Sequence, residues 1–285
     1  MKVPIQKCKK ASRRHFILQH FSSAFLNFGE RPPLQKCFDE INSDLQFAYQ
    51  YVSQFVTNLS VLDFGCGGGY GTEFLSRFTS KKTLGFDVNQ CAVDSANSFF
   101  TRSTNLQFSH LVPHERFDII TSFQVIEHVA PADLPEYFKT ISTHLQPNGQ
   151  VFIATPNKNI TSFRLKTPIM PFHIVEYTPD TFEKLLQKYF SYVKVYGQIS
   201  QPTAEKVAAG KFSYSDLSQV SFKYKVIRFI SQIKPVRYLA RYIHQDVKNF
   251  ILGFGQAKLI TTPQLLTTDK LFVENSYILI AQCQP

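Results

Sequence analysis

The chain has 285 residues, 44% hydrophobic composition and a formal net charge of +10, enough for one large α/β domain with decorations and an ordinary buried core. Cys8, Cys37, Cys66, Cys91 and Cys283 are scattered without Cys-x-x-Cys pairing, which argues against a disulfide framework or a zinc ribbon and for a reducing, cytoplasmic home. No apolar stretch approaches the roughly 20 residues that span a bilayer, and the basic charge sits in the flanks: residues 61–200 are near charge balance, whereas residues 201–260 hold ten Lys and Arg against three acids. Nucleic acid is therefore not an expected partner, since it calls for a basic groove around the site.

In chain order, residues 1–58 read as a basic helical arm. Lys2, Lys7, Lys9, Lys10, Arg13 and Arg14 precede any acid and stand beside Phe16, Ile17, Leu18, Phe21, Phe25 and Leu26; an organelle transit peptide is the other reading of that composition. Residues 59–197 then alternate short apolar runs with helical periods, the pattern of a doubly wound, mostly parallel α/β sheet. Strands are predicted at Ser60–Phe64, Thr83–Phe86, Leu106–Phe108, Phe117–Ser122, Val151–Thr155 and Tyr192–Tyr196. Leu134, Tyr137, Phe138, Ile141 and Leu145 mark one helix face, and Phe182, Leu185, Leu186 and Tyr189 another, with Thr178 as cap and Pro179 at the first helical position. Residues 198–274 are too long for a plain connection and read as a basic helical insertion. Phe222, Val226, Phe229, Ile230 and Ile233 form one apolar stripe, and Val236, Leu239, Ala240, Ile243, Val247 and Phe250 a second. Seven basic residues decorate these stripes, so residues 222–252 fit anionic lipid, another subunit, or packing on the domain with a solvated outer face. "SYILIAQC" at 276–283 is the last strand, and residues 275–285 complete the sheet.

The densest signal is "VLDFGCGGGYGTEFL" at 61–75. A strand that runs into glycines lets a ligand approach the backbone closely and offers free amide N–H groups. The dinucleotide spacing G-x-G-x-x-G fails in both registers: Gly65 and Gly67 require glycine where Tyr70 stands, and Gly67 and Gly69 require it at Thr72. What fits is D-x-G-x-G-x-G, namely Asp63, Gly65, Gly67 and Gly69. Here the chain resembles the class I S-adenosylmethionine-dependent methyltransferases. Asp63 would repel a pyrophosphate and suits the ammonium of a methionine moiety. Asp87, ending the next strand in "LGFDVN", can accept hydrogen bonds from both ribose hydroxyls; Val88 would lie against adenine and Asn89 would cap the following helix. "FDIITSFQVIEHV" (117–129) resembles that family's fourth strand and following loop, and "LQPNGQVFIATPN" (145–157) its fifth-strand segment; "PFHIVEYTPDTFEKLLQKYF" (171–190), with "GERPP" and "LQFAYQYV" upstream, resembles bacterial small-molecule and surface-glycan methyltransferases, and a quinone O-methyltransferase-like subgroup is the other expectation. It implies a seven-stranded Rossmann-like sheet with an antiparallel last strand, and S-adenosylmethionine as cofactor. Where such families offer an acid to the adenine amino group this chain reads "FSHLVPHERFD", leaving Ser109 or His110 as substitutes. Cys66, within the loop, and Phe123, after the fourth strand, complete the expected cofactor contacts.

The sulfonium makes the methyl group electrophilic, so the protein needs mainly to align a nucleophile and remove a proton. Thr121, Ser122, Phe123 and Gln124 replace the Asn/Asp-Pro-Pro-aromatic signature of amino-group methyltransferases, and neither "TSFQ" nor "ATPN" supplies the cysteine of cytosine C5 enzymes. Methylation of a hydroxyl on a small molecule, sugar or lipid-linked intermediate is the preferred chemistry. His128 and His173 are candidate general bases, against the bland reading that they tie loops together. Glu127, Glu176 and Tyr177 are candidate substrate contacts. No metal is expected, although Glu127, His128 and Glu176 can gather a divalent ion, as some quinone O-methyltransferases suggest. The alternatives are a domain that binds S-adenosylmethionine or a membrane surface without turnover and, disfavoured by Asp63 and Tyr70, a nucleotide-dependent oxidoreductase.

Overall fold

Val61–Phe64 forms β1, buried along its whole length, as a strand must be when helices cover both faces of its sheet. It belongs to a computed structural model that describes residues 38–40, 43–100, 103–162, 165–168, 170, 173–211, 264–274 and 276–285. β2 (Thr83–Phe86) and β4 (Phe117–Phe123) flank β1 in parallel, with β3 (Leu106–Ser109) outside β2 and β5 (Leu145–Pro156) outside β4. β8 (Ile278–Gln284) runs antiparallel between β5 and β6 (Tyr192–Ser200), and β7 (Gln264–Thr267) lies antiparallel on the outer side of β6. The spatial order is 3-2-1-4-5-8-6-7.

The predicted strands all appear, with the last one antiparallel as expected. The sheet has eight strands among the described residues, not seven; the addition is β7, whose four residues, "QLLT", are too short to show a period. β5 also starts earlier than predicted. It begins at Leu145, which the spacing assigns to the helix face, opposite Phe117 and across an irregularity in register between Phe117 and Ile119.

Alternate side chains sort the core onto two faces. Leu62, Ile120, Val151, Ile153, Leu279 and Ala281 face one cluster, and α4 (Leu134–His144) and α6 (Pro179–Leu186) cover it with Leu134, Phe138, Ile141, Phe182 and Leu186. Val61, Ile119, Phe152, Ala154 and Ile280 face the other, covered by α1 (Ser43–Ser53) and α2 (Tyr70–Ser76) through Ala48, Val52, Phe74 and Leu75. The predicted caps form: Asn89 accepts from the Cys91 and Ala92 amides at the start of α3 (Gln90–Phe99), and Thr178 and Thr181 make a capping box beside Pro179. α5 (Lys158–Thr161), α7 (Gln201–Ala208) and α8 (Lys270–Glu274) complete the α-helices of the described residues. The stripes at 222–233 and 236–250 lie outside them, as does the basic start of the arm. No helix among the described residues is long and apolar enough to cross a membrane.

Candidate functional site

The glycine loop emerges at the carboxyl end of β1, where the sheet order turns from β2 on one side to β4 on the other, the position at which open α/β sheets form ligand crevices. The Gly65 and Cys66 amides donate to the Phe86 carbonyl at 2.7 and 3.0 Å, and the Gly67 amide donates to Asp87 Oδ2 at 2.8 Å. Asp87 Oδ1 accepts the Asn89 amide at 2.8 Å, so two backbone donors fix this buried carboxylate at the tip of β2. Gly65, Gly67 and Gly69 all have positive φ, at 91°, 54° and 82°, a conformation that favours glycine. Their surroundings differ. A Cβ on Gly65 would lie 2.4 Å from Val125 Cγ2 and one on Gly69 2.6 Å from the Phe108 ring, but one on Gly67 meets nothing within 4 Å. Two glycines are thus required by packing, and the third borders open space beside Asp87.

Asp63 is almost fully buried and turns its carboxylate into a ring of hydroxyls. Thr72 and Thr121 donate to it at 2.7 and 2.8 Å, and Tyr49 Oη reaches it at 3.1 Å. Burial pushes its carboxyl up to about 6, against the opposing pull of the Thr72, Thr121 and Tyr49 hydroxyls. Burial, followed by the Asp63 charge, holds the Tyr49 phenol well above its ordinary range. Cys66 directs its side chain into a pocket of Val93, Ala96, Leu106 and Phe108. Phe123 is buried and packs edge-on against Tyr49 at 4.8 Å. Val88 is half-buried against the core, Ser109 Oγ is engaged with the Leu111 backbone, and His110 is exposed.

The remaining candidates gather after β4 and β5. A short 3-10 turn, Ile126–His128, carries Glu127 and His128, both buried, and its predecessor Val125 is the side chain that presses on Gly65. The Ile174 and Val175 amides donate to the Glu127 carbonyl at 2.8 and 3.2 Å, which draws His173 alongside. The His128 and His173 rings stand edge to face at 5.1 Å. Thr155 Oγ1 donates to Glu127 Oε2 at 3.0 Å. His173 Nδ1 meets Glu176 Oε1 at 2.6 Å. Burial alone would raise the Glu176 carboxyl, but hydrogen bonds from His173, Ser162 and Thr161 outweigh it and hold the group below its usual range. Tyr177 is buried, and burial with the nearby Glu127 charge pushes its phenol up to about 12.

Ligand atoms of Glu127, His128 and His173 lie within 4.8 Å of one another. The structure therefore assembles an ion-sized group of side chains that differs from the set read in the sequence, with His173 in place of Glu176. Tyr49, Thr72, Thr121, Thr155 and Thr161 escaped sequence reasoning. Thr121 alone left a trace, as a polar residue in the apolar β4 directly opposite Asp63 in the β1–β4 register.

A family model described as a methyltransferase domain matches residues 31–192, over half of the chain. The chain belongs to this methyltransferase domain family. The methyltransferase domain is 30% identical over 144 residues to a probable S-adenosylmethionine-dependent methyltransferase of Mycobacterium tuberculosis, covering 50% of this chain and 52% of that one. A ubiquinone biosynthesis O-methyltransferase of Bradyrhizobium diazoefficiens is 35% identical over 114 residues, 38% of this chain and 44% of that one. Among solved structures, an S-adenosylmethionine-dependent methyltransferase from Mesorhizobium loti matches 60% of this chain and 90% of its own at 16% identity, with a TM-score of 0.46. The chain spans about half the length of the curated relatives it matches.

Proposed function

We propose that this protein transfers a methyl group from S-adenosylmethionine to a hydroxyl of a small molecule, sugar or lipid-linked intermediate. The observation that carries the donor half is Asp87: a carboxylate pinned by the Gly67 and Asn89 amides at the rim of the open space beside Gly67, placed to accept two ribose hydroxyls. Gly65, Cys66, Gly67 and Gly69 supply the backbone floor, and Val88, Ser109, His110 and Phe123 are the remaining contacts assigned to the donor. Asp63 serves the methionine end through the hydroxyls it anchors. The family and the names of its relatives support the same donor.

For the acceptor, His128 lies on the turn that follows Val125, whose side chain packs on Gly65, and His173 stands beside it; one of the two takes the hydroxyl proton as the methyl group is attacked. Glu127, Glu176 and Tyr177 are the side chains assigned to the acceptor. Calorimetric titration with S-adenosylmethionine and S-adenosylhomocysteine tests the donor: micromolar binding is expected, with a loss of tenfold or more in Asp87→Ala. No binding, or binding unchanged by the substitution, would defeat the reading. A screen with methyl-labelled donor against quinone, glycan and lipid extracts identifies the acceptor. Donor binding without any labelled product would instead favour a non-catalytic domain. The sequence of residues 222–252 mixes apolar residues with seven Lys and Arg, a composition that would suit anionic lipid, and equal recovery with anionic and neutral vesicles would remove that partner.

The gathering of Glu127, His128 and His173 favours a second reading in which they hold a divalent ion, a ligand set that suits borderline transition metals. When bound, such an ion would make an acceptor hydroxyl more acidic. Calorimetry of chelator-treated protein with Mn2+ and Zn2+ decides it; heat that disappears in His173→Ala is the supporting outcome.

A further inference from the structure

The Glu176 carboxylate is turned inward. Oε1 meets His173 Nδ1 at 2.6 Å, Oε2 accepts from Thr161 Oγ1 at 2.6 Å, and Ser162 adds a third donor. The His173 and Glu176 side chains are 3% and 0% exposed. We propose that Glu176 is a positioning residue that fixes His173 as the Nδ1–H tautomer, and that Thr161 and Asn157 tie this setting to the turn leading into β8.

The chemistry at each link is specific. A carboxylate only accepts, so the ring nitrogen facing it carries the proton and Nε2 is the unprotonated nitrogen, the one that accepts a proton or binds an ion. Thr161 is held by its place at the end of α5, whose cap is Asn157. Asn157 is fully buried and donates its side-chain amide among the carbonyls of Val273, Glu274 and Ser276 at 3.1, 3.1 and 2.9 Å, while its backbone amide donates to Tyr277 at 2.9 Å. Residues 273–277 are where the chain comes back from the long 198–274 segment. A shift of that turn therefore reaches His173 in three steps: through Asn157 to α5, through Thr161 to Glu176, and through Glu176 to the ring. Among the described residues, Glu127 and His128, on the turn after β4, also bring titratable atoms close to the ring.

The role of the relay in methyl transfer rests on the function proposed above, but the tautomer does not. It is measured on the full chain without donor or acceptor, so the two ideas fail separately. In protein with 15N-labelled histidine, His173 signals are assigned by their loss in His173→Gln and followed at a pH where the ring is neutral. The expected pattern is a protonated Nδ1 with an unprotonated Nε2. Glu176→Gln presents either an amide donor or an acceptor and should mix the tautomers. Glu176→Asp should restore part of the single-tautomer signal, and Thr161→Val should give a smaller shift in the direction of Glu176→Gln. An Nε2–H tautomer in the unaltered chain, or no change in Glu176→Gln, overturns the proposal. Should Glu176→Gln fail to fold, the unaltered chain and Thr161→Val still decide it.

Discussion

Asp63 carries a pH dependence of definite sign. Its carboxyl loses a proton near 3.8 in an unfolded chain and at about 6 when folded. Between those values the folded state holds more protons, so its stability falls as pH rises through the window and levels off above it. The loss amounts to roughly 3 kcal/mol. Asp63→Asn keeps the shape and cannot ionise. The difference in urea-unfolding free energy between the two proteins should therefore change by about that amount between about pH 4 and pH 7, while a flat difference would rule the effect out. The glycines divide in a similarly testable way. Gly67→Ala has room for its methyl group but pays a left-handed backbone, about 1 kcal/mol, and should weaken donor binding by tenfold or more. Gly65→Ala drives a methyl group into Val125 and should instead lower stability by about 1–3 kcal/mol, read by the same urea titrations. Asp63, Asp87 and the glycines were legible because their conformational and charge demands leave marks in the sequence. Tyr49 and Thr72 left none, since an ordinary Tyr or Thr looks the same whether or not it ends up against a buried carboxylate.

The element that most changes the picture of the site is α1, which the sequence presents as part of a basic arm and, through "LQFAYQYV", as an upstream piece of the family resemblance. Its Tyr49 lies on Gly71 so closely that a Cβ there would stand 2.0 Å from the ring, and its hydroxyl reaches Asp63. The helix is thus seated on the floor of the glycine loop. Tyr49→Phe should cost about 1.5 kcal/mol through the lost donor to a charged group. Gly71→Ala should cost more by levering α1 away, and donor affinity should fall with it; unchanged thermal midpoints in both variants would contradict the seating. Helices with an apolar stripe could be read directly, α4 from the stripe alone and α6 from the stripe together with its Thr178 cap. β7 could not, because four residues that pair only with β6 gain their identity from an edge rather than from a period.

For the molecule as a whole, the alternation of apolar runs and helical stripes was sufficient to read the doubly wound sheet, because burial on both faces imposes it on every central strand. The acceptor was not readable: Glu127, His128, His173 and Glu176 come together through loops whose geometry the sheet sets and whose chemistry is common to many roles. Stability should be graded across the sheet. Amides of β1, β4 and β5, which have neighbours on both sides, should exchange hydrogen most slowly, and those of β3 and β7 fastest; protection as strong in β7 as in β1 would contradict the edge assignment.

The order of strands also sets an order of events during synthesis. Both neighbours of β6 come from residues 264–284, and β5 borrows one edge from the same stretch. On the ribosome, β1 to β5 can pair as they emerge, whereas β6 must wait for more than sixty further residues before any partner exists. A nascent chain halted in that interval leaves one edge of β5 and both edges of β6 unpaired, the surfaces on which unfinished sheets join one another.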